Sequence, residues 1–450
     1  MNINPLIFRA YDVRGVYGRD LTDELAEKIG SASVVFLGKK IAFGRDSRLS
    51  SPALGDAFIK GATEAGTDVI DIGLVPRGML MFWCWKKALP GAYITASHSP
   101  KEWNGVQFMY RNGQGFSEEG NMKIRDAVLE GRLKKSKNPG SVGKIDIKEE
   151  YMKSLMEKIP KPSKKLKVLL DCGNGTAGIV AQEAFSRAGI EADVLFREPD
   201  GNFPNRESDI TEDTLKKAAS MAKNYDVVFA YDGDSDRLAL IDSRGRLAEA
   251  EDVACLILSE LMKKEKGPVV ANVECSSVID KMAARHKRGV ERVRVGNTFM
   301  VQAMHDTGAC FGVEKARHFV IPSIFPFDDA IAVSLFAAYA ISKMGRPLSA
   351  FLDGMPKFEK SRTNIECPDD KKFGVIERVR ETLSKEYGRI NTMDGIRLDL
   401  DGGWVLVRAS NTSPLIRVTV EAESRREHER MRDVFSGLVR REINKYKDVV

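Results

Sequence analysis

The chain has 450 residues, of which 43% are hydrophobic and 30% charged, and 70 Lys and Arg against 64 Asp and Glu leave a net charge of +6. These are the proportions of an ordinary globular enzyme. No run of 18 apolar residues exists, which argues against a membrane partner, and Lys and Arg are not gathered into the patch that nucleic-acid binding needs. At about 100 to 200 residues per domain, the length allows three or four domains. Polar Asn2, Asn4 and Arg9 break up the N-terminus, which is no signal peptide. Six cysteines, Cys84, Cys172, Cys255, Cys275, Cys310 and Cys367, are scattered without CxxC spacing and read as reduced, mostly buried thiols of a cytoplasmic protein.

In chain order, the first segment that carries chemistry is Tyr93-Ile94-Thr95-Ala96-Ser97-His98-Ser99-Pro100. A serine among small residues, beside a histidine and three residues before a proline, reads as an exposed strand-to-loop turn with Ser97 as candidate nucleophile. An ordinary Ser/Pro turn has the same composition. Polar stretches at Lys134–Lys144 and Lys158–Lys167 are candidate linker or surface segments. Strand-like runs followed by helical ones then recur, as in Lys167–Asp171 with Ala177–Ala188 and Pro268–Val273 with Val278–Arg288, and this alternation implies α/β units on mixed sheets.

The apolar run Val227-Val228-Phe229-Ala230 leads into Tyr231-Asp232-Gly233-Asp234-Ser235-Asp236-Arg237. Carboxylates two residues apart at a strand end point the same way and can close on one hard cation. Magnesium keeps coordination sites for substrate phosphate, so three carboxylates with open positions suit phosphoryl transfer; a solvated acidic turn is the plainer alternative. An EF-hand counted from Asp232 is excluded, because Arg237 and Ser243 stand where Gly and Glu are required. Near the C-terminus, Arg408-Ala409-Ser410-Asn411-Thr412-Ser413-Pro414-Leu415-Ile416-Arg417 lies between strand-like segments. Hydroxyls, an amide and backbone N–H groups flanked by guanidinium groups describe a cradle for a dianion. Arg397–Leu400, Trp404–Val407 and Leu415–Ala422 read as strands, and Arg425–Tyr446 as a long charged amphipathic helix.

Together with Phe8-Arg9-Ala10-Tyr11-Asp12-Val13-Arg14-Gly15, these segments identify the resemblance. The chain looks like an α-D-phosphohexomutase, the family of phosphomannomutases, phosphoglucomutases and phosphoglucosamine mutases. FRAYDVRG is similar to that family's FRAYDIRG opening, TASHSP to its TASHNP phosphoserine loop, DGDSDR to its DGDGDR metal loop and RASNTSP to its RASNTEP phosphate loop. Further echoes are Gly44-Arg45-Asp46-Ser47-Arg48, Asp171-Cys172-Gly173-Asn174-Gly175, Asp200-Gly201-Asn202-Phe203-Pro204-Asn205 and Phe327-Asp328-Asp329. The order of motifs is kept over essentially the whole chain, and the FRAYD opening is that of the mannose/glucose branch.

The resemblance implies three similar α/β mixed-sheet domains and a smaller C-terminal α+β domain around a central cleft, one signature loop from each. Boundaries are expected near 147, 243 and 356, giving domains 1–147, 148–243, 244–356 and 357–450. It implies that Ser97 carries a phosphoryl group, gives it to the free hydroxyl of a sugar phosphate, and is rephosphorylated by the resulting bisphosphate. Mg2+ is expected on Asp232, Asp234, Asp236 and the phosphorylated Ser97, with a sugar 1,6-bisphosphate as activator. Arg408, Ser410, Asn411, Thr412 and Arg417 are expected to anchor the phosphate that does not react. Arg14, Arg237 and His98 are expected around the reaction centre, with Tyr11, Glu314 and His318 on the sugar. The implied partner is a small phosphosugar, with the chain a monomer or homodimer.

Departures from the family pattern bear on catalysis. The family's general acid/base lysine, ten residues after the serine, is here Gln107, which cannot accept and release a proton as an amine does. The sugar-reading loop, GEMSGH or GEESGH in the family, is Val313-Glu314-Lys315-Ala316-Arg317-His318, and Ser413 replaces a glutamate. Lys315, if desolvated beside arginines, is the expected substitute base through a lowered pKa, with Lys101 and His98 behind it. Readings from other classes are phosphoglucosamine or phosphopentose mutase activity, a metal-dependent phosphatase or bisphosphate synthase, and a poorly catalytic phosphosugar-binding regulator.

Overall fold

The computed structural model describes residues 3–388, 390–410 and 414–447. The first sheet comprises β1 (Val13–Val16), β2 (Lys40–Arg45), β3 (Asp68–Leu74), β4 (Gly91–Ile94), β5 (Trp103–Met109) and β6 (Val142–Lys144), in the order β1-β5-β4-β2-β3-β6. β2, β3, β4 and β6 run parallel, whereas β5 is antiparallel to both β4 and β1. β4, Gly-Ala-Tyr-Ile, is buried along its whole length, as expected of a central strand covered on both faces. Helices Asp23–Leu37, Ser51–Glu64 and Arg77–Lys87 supply the cover; the first starts at Thr22, whose hydroxyl accepts from the Leu25 amide.

The second sheet holds β7 (Lys167–Asp171), β8 (Glu191–Leu195), β9 (Val227–Tyr231) and β10 (Leu238–Ile241), ordered β10-β9-β7-β8 with only β10 antiparallel to its neighbour. The third holds β11 (Val269–Asn272), β12 (Val290–Val293), β13 (Phe311–Val313) and β14 (Phe319–Val320), ordered β12-β11-β13-β14, again with one antiparallel edge. The fourth is fully antiparallel: β15 (Glu359–Glu366), β16 (Ile396–Leu400), β17 (Gly403–Ala409) and β18 (Leu415–Ala422), ordered β15-β18-β17-β16 and packed with helices Lys372–Tyr387 and Arg425–Lys447. The architecture is therefore α/β with mixed sheets and a C-terminal α+β unit.

Helix Ala330–Lys343 is buried from Ala330 to Ser342 and belongs to a continuous core that also holds residues of the first three sheets. The fourth sheet has a core of its own. Its ties to the third include Arg397, which stacks on Trp404 at 4.1 Å and donates to the Val273 carbonyl at 2.6 Å. At 14 residues the apolar helix is short, and among the described residues no helix is long and apolar enough to cross a membrane.

Two local expectations are corrected. The segment Lys134–Lys144 is not only a linker, because β6 adds an edge strand to β3. All three of its residues are exposed, so no burial alternation betrays it in the sequence. The helical stretch Ala177–Ala188 divides into a 3₁₀ turn at Thr176–Ile179 and a helix at Ala181–Arg187. The six cysteines are unpaired and buried.

Candidate active site

Each functional loop follows the carboxyl end of a strand. β4 delivers the chain to Ser97, which adopts the left-handed conformation (φ 49°) that a non-glycine residue rarely takes. The Ser97 amide donates to Thr95 Oγ1 at 2.8 Å. Arg48, wholly buried, donates to the carbonyls of Ser97 (2.6 Å), Ser99 (2.7 Å), Pro100 (2.7 Å) and Trp103 (3.1 Å), and Asp46 holds its Nε at 3.1 Å. One guanidinium thus fixes the loop that presents the nucleophile. Ser97 Oγ donates to Asp232 Oδ2 at 2.8 Å and lies 3.3 Å from His98 Nδ1.

The three aspartates converge, by a route other than strand alternation. β9 ends at Tyr231, and residues 232–236 form a curled loop with Ser235 at φ 63°. Carboxylate oxygens of Asp232, Asp234 and Asp236 lie within 4.8 Å of one another. The loop passes so close to the nucleophile that a Cβ at Gly233 would lie 2.8 Å from the Ser97 carbonyl oxygen, so glycine is required there. Burial and mutual repulsion push Asp234 up to about 7 and Asp232 well above the carboxylate range. Asp234 Oδ1 and Asp236 Oδ1 are buried without a hydrogen-bond partner. Converging carboxylates with unpartnered oxygens fit a hard divalent cation, which would offset their repulsion.

Around this centre a cavity of about 200 Å³ is lined by Tyr11, Arg14, Ser97, Asp236, Arg237, Glu314 and His318, among others. Arg14 pairs with Asp12 at 2.6 Å and donates to Ser99 Oγ at 3.1 Å. Burial, together with the positive charges of Arg237 and Arg14, pushes His98 down to about 2, so its imidazole is neutral. For His318, burial opposes protonation but Asp236 and Asp328 raise its pKa overall. The hydrogen bonds settle its form. Arg237 Nε donates to His318 Nε2 at 3.1 Å, which leaves the proton on Nδ1, facing Asp328 at 3.0 Å. Glu314, raised by burial, accepts from the Gly296 amide (2.7 Å) and Asn272 (3.1 Å). Burial raises the Tyr11 phenol to about 12, and its hydroxyl donates to the Val295 carbonyl at 2.6 Å.

Lys315 departs from expectation. Its ammonium lies between Glu249 (2.5 Å) and Glu251 (2.9 Å), not beside arginines, and these carboxylates outweigh burial and raise its pKa. A lysine held charged is no general base. It does not line the cavity either. Its neighbour Arg317 donates to the Ala248 carbonyl at 2.8 Å and sits at φ 72°, where the family's glycine would be unstrained.

The fourth loop joins β17 to β18. Arg408 and Arg417 face each other in register, and the Ser410 amide donates to the Leu415 carbonyl at 2.9 Å. Asn411 and Thr412 lie outside the described residues. Arg408, Ser410 and Arg417 do not line the Ser97 cavity. Arg408 pairs with Asp394 at 2.9 Å, and Asp394 in turn accepts from the amide of Val295 on the cavity wall at 2.9 Å. Sequence reasoning assigned no role to Arg48, Thr95, Arg77 or Asp328. Arg48 and Asp328 stand in motifs already quoted, whereas Arg77 has no local signal.

A strand-end serine held against a buried carboxylate cluster, under arginines and on this fold, defines a phosphoryl-transfer enzyme. Comparison with known proteins gives the family. Models of the phosphoglucomutase/phosphomannomutase family match in order: α/β/α domain I at residues 5–135, domain II at 149–245, domain III at 249–358 and the C-terminal domain at 363–437. A probable phosphoglucosamine mutase of Methanopyrus kandleri is 34% identical over 451 residues, covering 98% of this chain and 99% of the relative. A phosphomannomutase/phosphoglucomutase of Pseudomonas aeruginosa is 32% identical over 440 residues, covering 95% and 94%. Among solved structures, a phosphoglucomutase/phosphomannomutase family protein of Burkholderia thailandensis superposes with a TM-score of 0.89 at 26% identity, covering 98% of each chain. The chain belongs to the phosphoglucomutase/phosphomannomutase family and is a phosphosugar mutase.

Proposed function

We propose that the enzyme interconverts hexose 1-phosphates and 6-phosphates of the mannose/glucose type, with Ser97 as the carrier of the phosphoryl group. The observation that supports this most is the 2.8 Å contact from Ser97 Oγ to Asp232, beside two buried carboxylate oxygens, on Asp234 and Asp236, that accept no hydrogen bond. Asp232, Asp234 and Asp236 are the residues that would hold Mg2+, which when bound would offset charge developing on the transferred group. Phosphorylated Ser97 gives its phosphoryl group to the free hydroxyl of the sugar phosphate as the bond from Oγ to phosphorus breaks, and Ser97 Oγ then takes the phosphate from the other end of the bisphosphate, whose oxygen leaves and picks up a proton as the new free hydroxyl. Arg14 and Arg237 stabilise the phosphoryl oxygens, and neutral His98 beside Oγ adds no competing charge. Glu314 and His318 orient the sugar hydroxyls, with Tyr11 closing that wall. Arg408, Ser410, Asn411, Thr412 and Arg417 hold the phosphate that does not react. A sugar 1,6-bisphosphate would serve as activator by phosphorylating Ser97. Six unpaired buried thiols suit a reducing cytoplasm.

Phosphoglucosamine is the second substrate reading, favoured by the name of the Methanopyrus relative. A coupled assay across mannose, glucose, glucosamine and pentose 1-phosphates, with magnesium and a bisphosphate activator, tests both. Turnover of the mannose and glucose compounds above the others is the expected result; exclusive turnover of the amino sugar overturns the first reading.

A further inference from the structure

Arg77 opens helix Arg77–Lys87 and is buried, yet carries a full charge into the wall of the active-site cavity. Its main-chain amide donates to the carbonyl of Asp234 at 3.0 Å. Its Nη1 donates to both oxygens of Asp328, at 3.0 and 2.9 Å, and lies 3.3 Å from Asp236 Oδ2. Its Nε donates to Gln107 Oε1 at 2.7 Å. Three elements distant in sequence therefore meet on one guanidinium: the carboxylate loop, the Asp328 segment and β5.

The consequences run outward from those contacts. Arg77 occupies Asp236 Oδ2, so Oδ1, which accepts no hydrogen bond and has only His318 Nδ1 nearby at 3.8 Å, is the oxygen left for a cation shared with Asp232 and Asp234. Asp328, fixed by two bonds from Arg77, accepts from His318 Nδ1, and His318 Nε2 accepts from Arg237. Asp236, His318 and Asp328 are close enough to suggest a second cation site, but Arg77 already provides positive charge between the two carboxylates. Gln107 has the chemistry this arrangement needs: a neutral acceptor for Nε, where a second cation would face the guanidinium at about hydrogen-bond distance. The close packing extends to Gly78, where a Cβ would lie 2.5 Å from Asp329 Oδ2.

We propose that Arg77 is a positioning residue of the phosphoryl-transfer site, setting Asp236 for the cation and, through Asp328, His318 and Arg237 for the substrate, with Gln107 as its dedicated acceptor. The inference rests on the reading of Ser97 and the three aspartates as the reaction centre. Displacement of such a centre by about 1 Å costs on the order of 100-fold in rate.

The test uses the full chain with Arg77→Gln, Arg77→Lys, Gln107→Lys and the double variant Arg77→Gln/Gln107→Lys, each checked by thermal melting. Steady-state kinetics are combined with calorimetric titration of Mg2+ into the dephosphorylated protein. Arg77→Gln is expected to lower kcat by about 100-fold with KM within about threefold, and to weaken Mg2+ binding by about tenfold or more. Arg77→Lys should recover part of the loss, Gln107→Lys alone should be impaired by the second cation, and the double variant should exceed either single Gln or Lys variant in kcat. Parent-like kcat and Mg2+ affinity in Arg77→Gln overturn the proposal. So does a loss of kcat that follows the melting temperature in every variant with no recovery in the double one, which would make Arg77 a packing residue. If the parent itself neither carries phosphate on Ser97 by intact mass nor turns over any phosphosugar, the functional reading fails instead, and the Mg2+ titration still judges Arg77.

Discussion

At the scale of single residues, the site is a set of groups whose properties come from what buries them. Ser97 Oγ has one strong partner, Asp232, and a strained left-handed backbone that aims it at the carboxylate loop. Ser97→Ala is expected to abolish turnover while sugar-phosphate binding by calorimetry stays nearly unchanged, and the intact mass should lose its phosphoryl increment. Phosphate mapped to Ser99 in the parent would sink the assignment. Asp234 has one oxygen on Thr95 at 2.9 Å and the other unpartnered. Its removal takes both charge and a ligand from a three-carboxylate centre, so Asp234→Ala should end Mg2+-dependent activity with the fold intact by circular dichroism. Activity surviving EDTA would contradict this.

At the scale of elements, the β13–β14 turn and the start of helix Ala330–Lys343 carry the next predictions. Lys315 ties that turn to the N-terminal turn of helix Ala250–Leu261 through Glu249 and Glu251, and Glu251 is 2% exposed. Lys315→Met should therefore leave kcat within about threefold and the pH profile unchanged, but lower stability by roughly 2 kcal/mol because a buried carboxylate loses a partner. A hundredfold fall in kcat would restore Lys315 as the base. Asp329 caps helix Ala330–Lys343 by accepting from the Ala332 amide, and burial pushes its carboxyl up to about 6. A folded pKa raised above the unfolded value means that the native state binds more protons between pH 4 and 6. Stability from this group is full below about pH 4 and is lost as pH rises to about 6. Asp329→Asn keeps a cap acceptor, so its melting temperature should exceed the parent's at pH 8 and the gap should close towards pH 4. A gap that widens on acidification would reverse the sign.

At the scale of the whole molecule, the first three sheets contribute to one shared core beside smaller clusters of their own, and the fourth unit has a separate one. The cavity around Ser97 is built by the first three, whereas Arg408 does not line it and is tied to its wall through Asp394 and the Val295 amide. Binding of a substrate's remote phosphate by the fourth unit would couple that unit to the reaction centre. Arg417→Ala is accordingly expected to raise KM by about tenfold or more and to lower kcat as well, because remote binding energy is lost from positioning the reacting hydroxyl. An unchanged KM in steady-state kinetics would place the phosphate elsewhere.

Much of this protein was decided within short stretches of chain. Apolar runs such as Val227–Ala230, alternating with helical segments, determined mixed α/β sheets, because burial on two faces leaves its mark locally. The order of the Ser97, Asp232–Asp236, Glu314–His318 and Arg408–Arg417 motifs determined the class of chemistry. The edge strand Val142–Lys144 escaped because an exposed strand has no hydrophobic pattern to show. What only the tertiary structure decided was the electrostatics. Neither Lys315 nor Arg77 has its partners close by in the sequence: Lys315 meets carboxylates 66 and 64 residues away and Arg77 one 251 residues away. A pKa or an ion pair is set by whatever charges and dielectric the fold assembles around a group, so it cannot be read from the residues beside it in the chain.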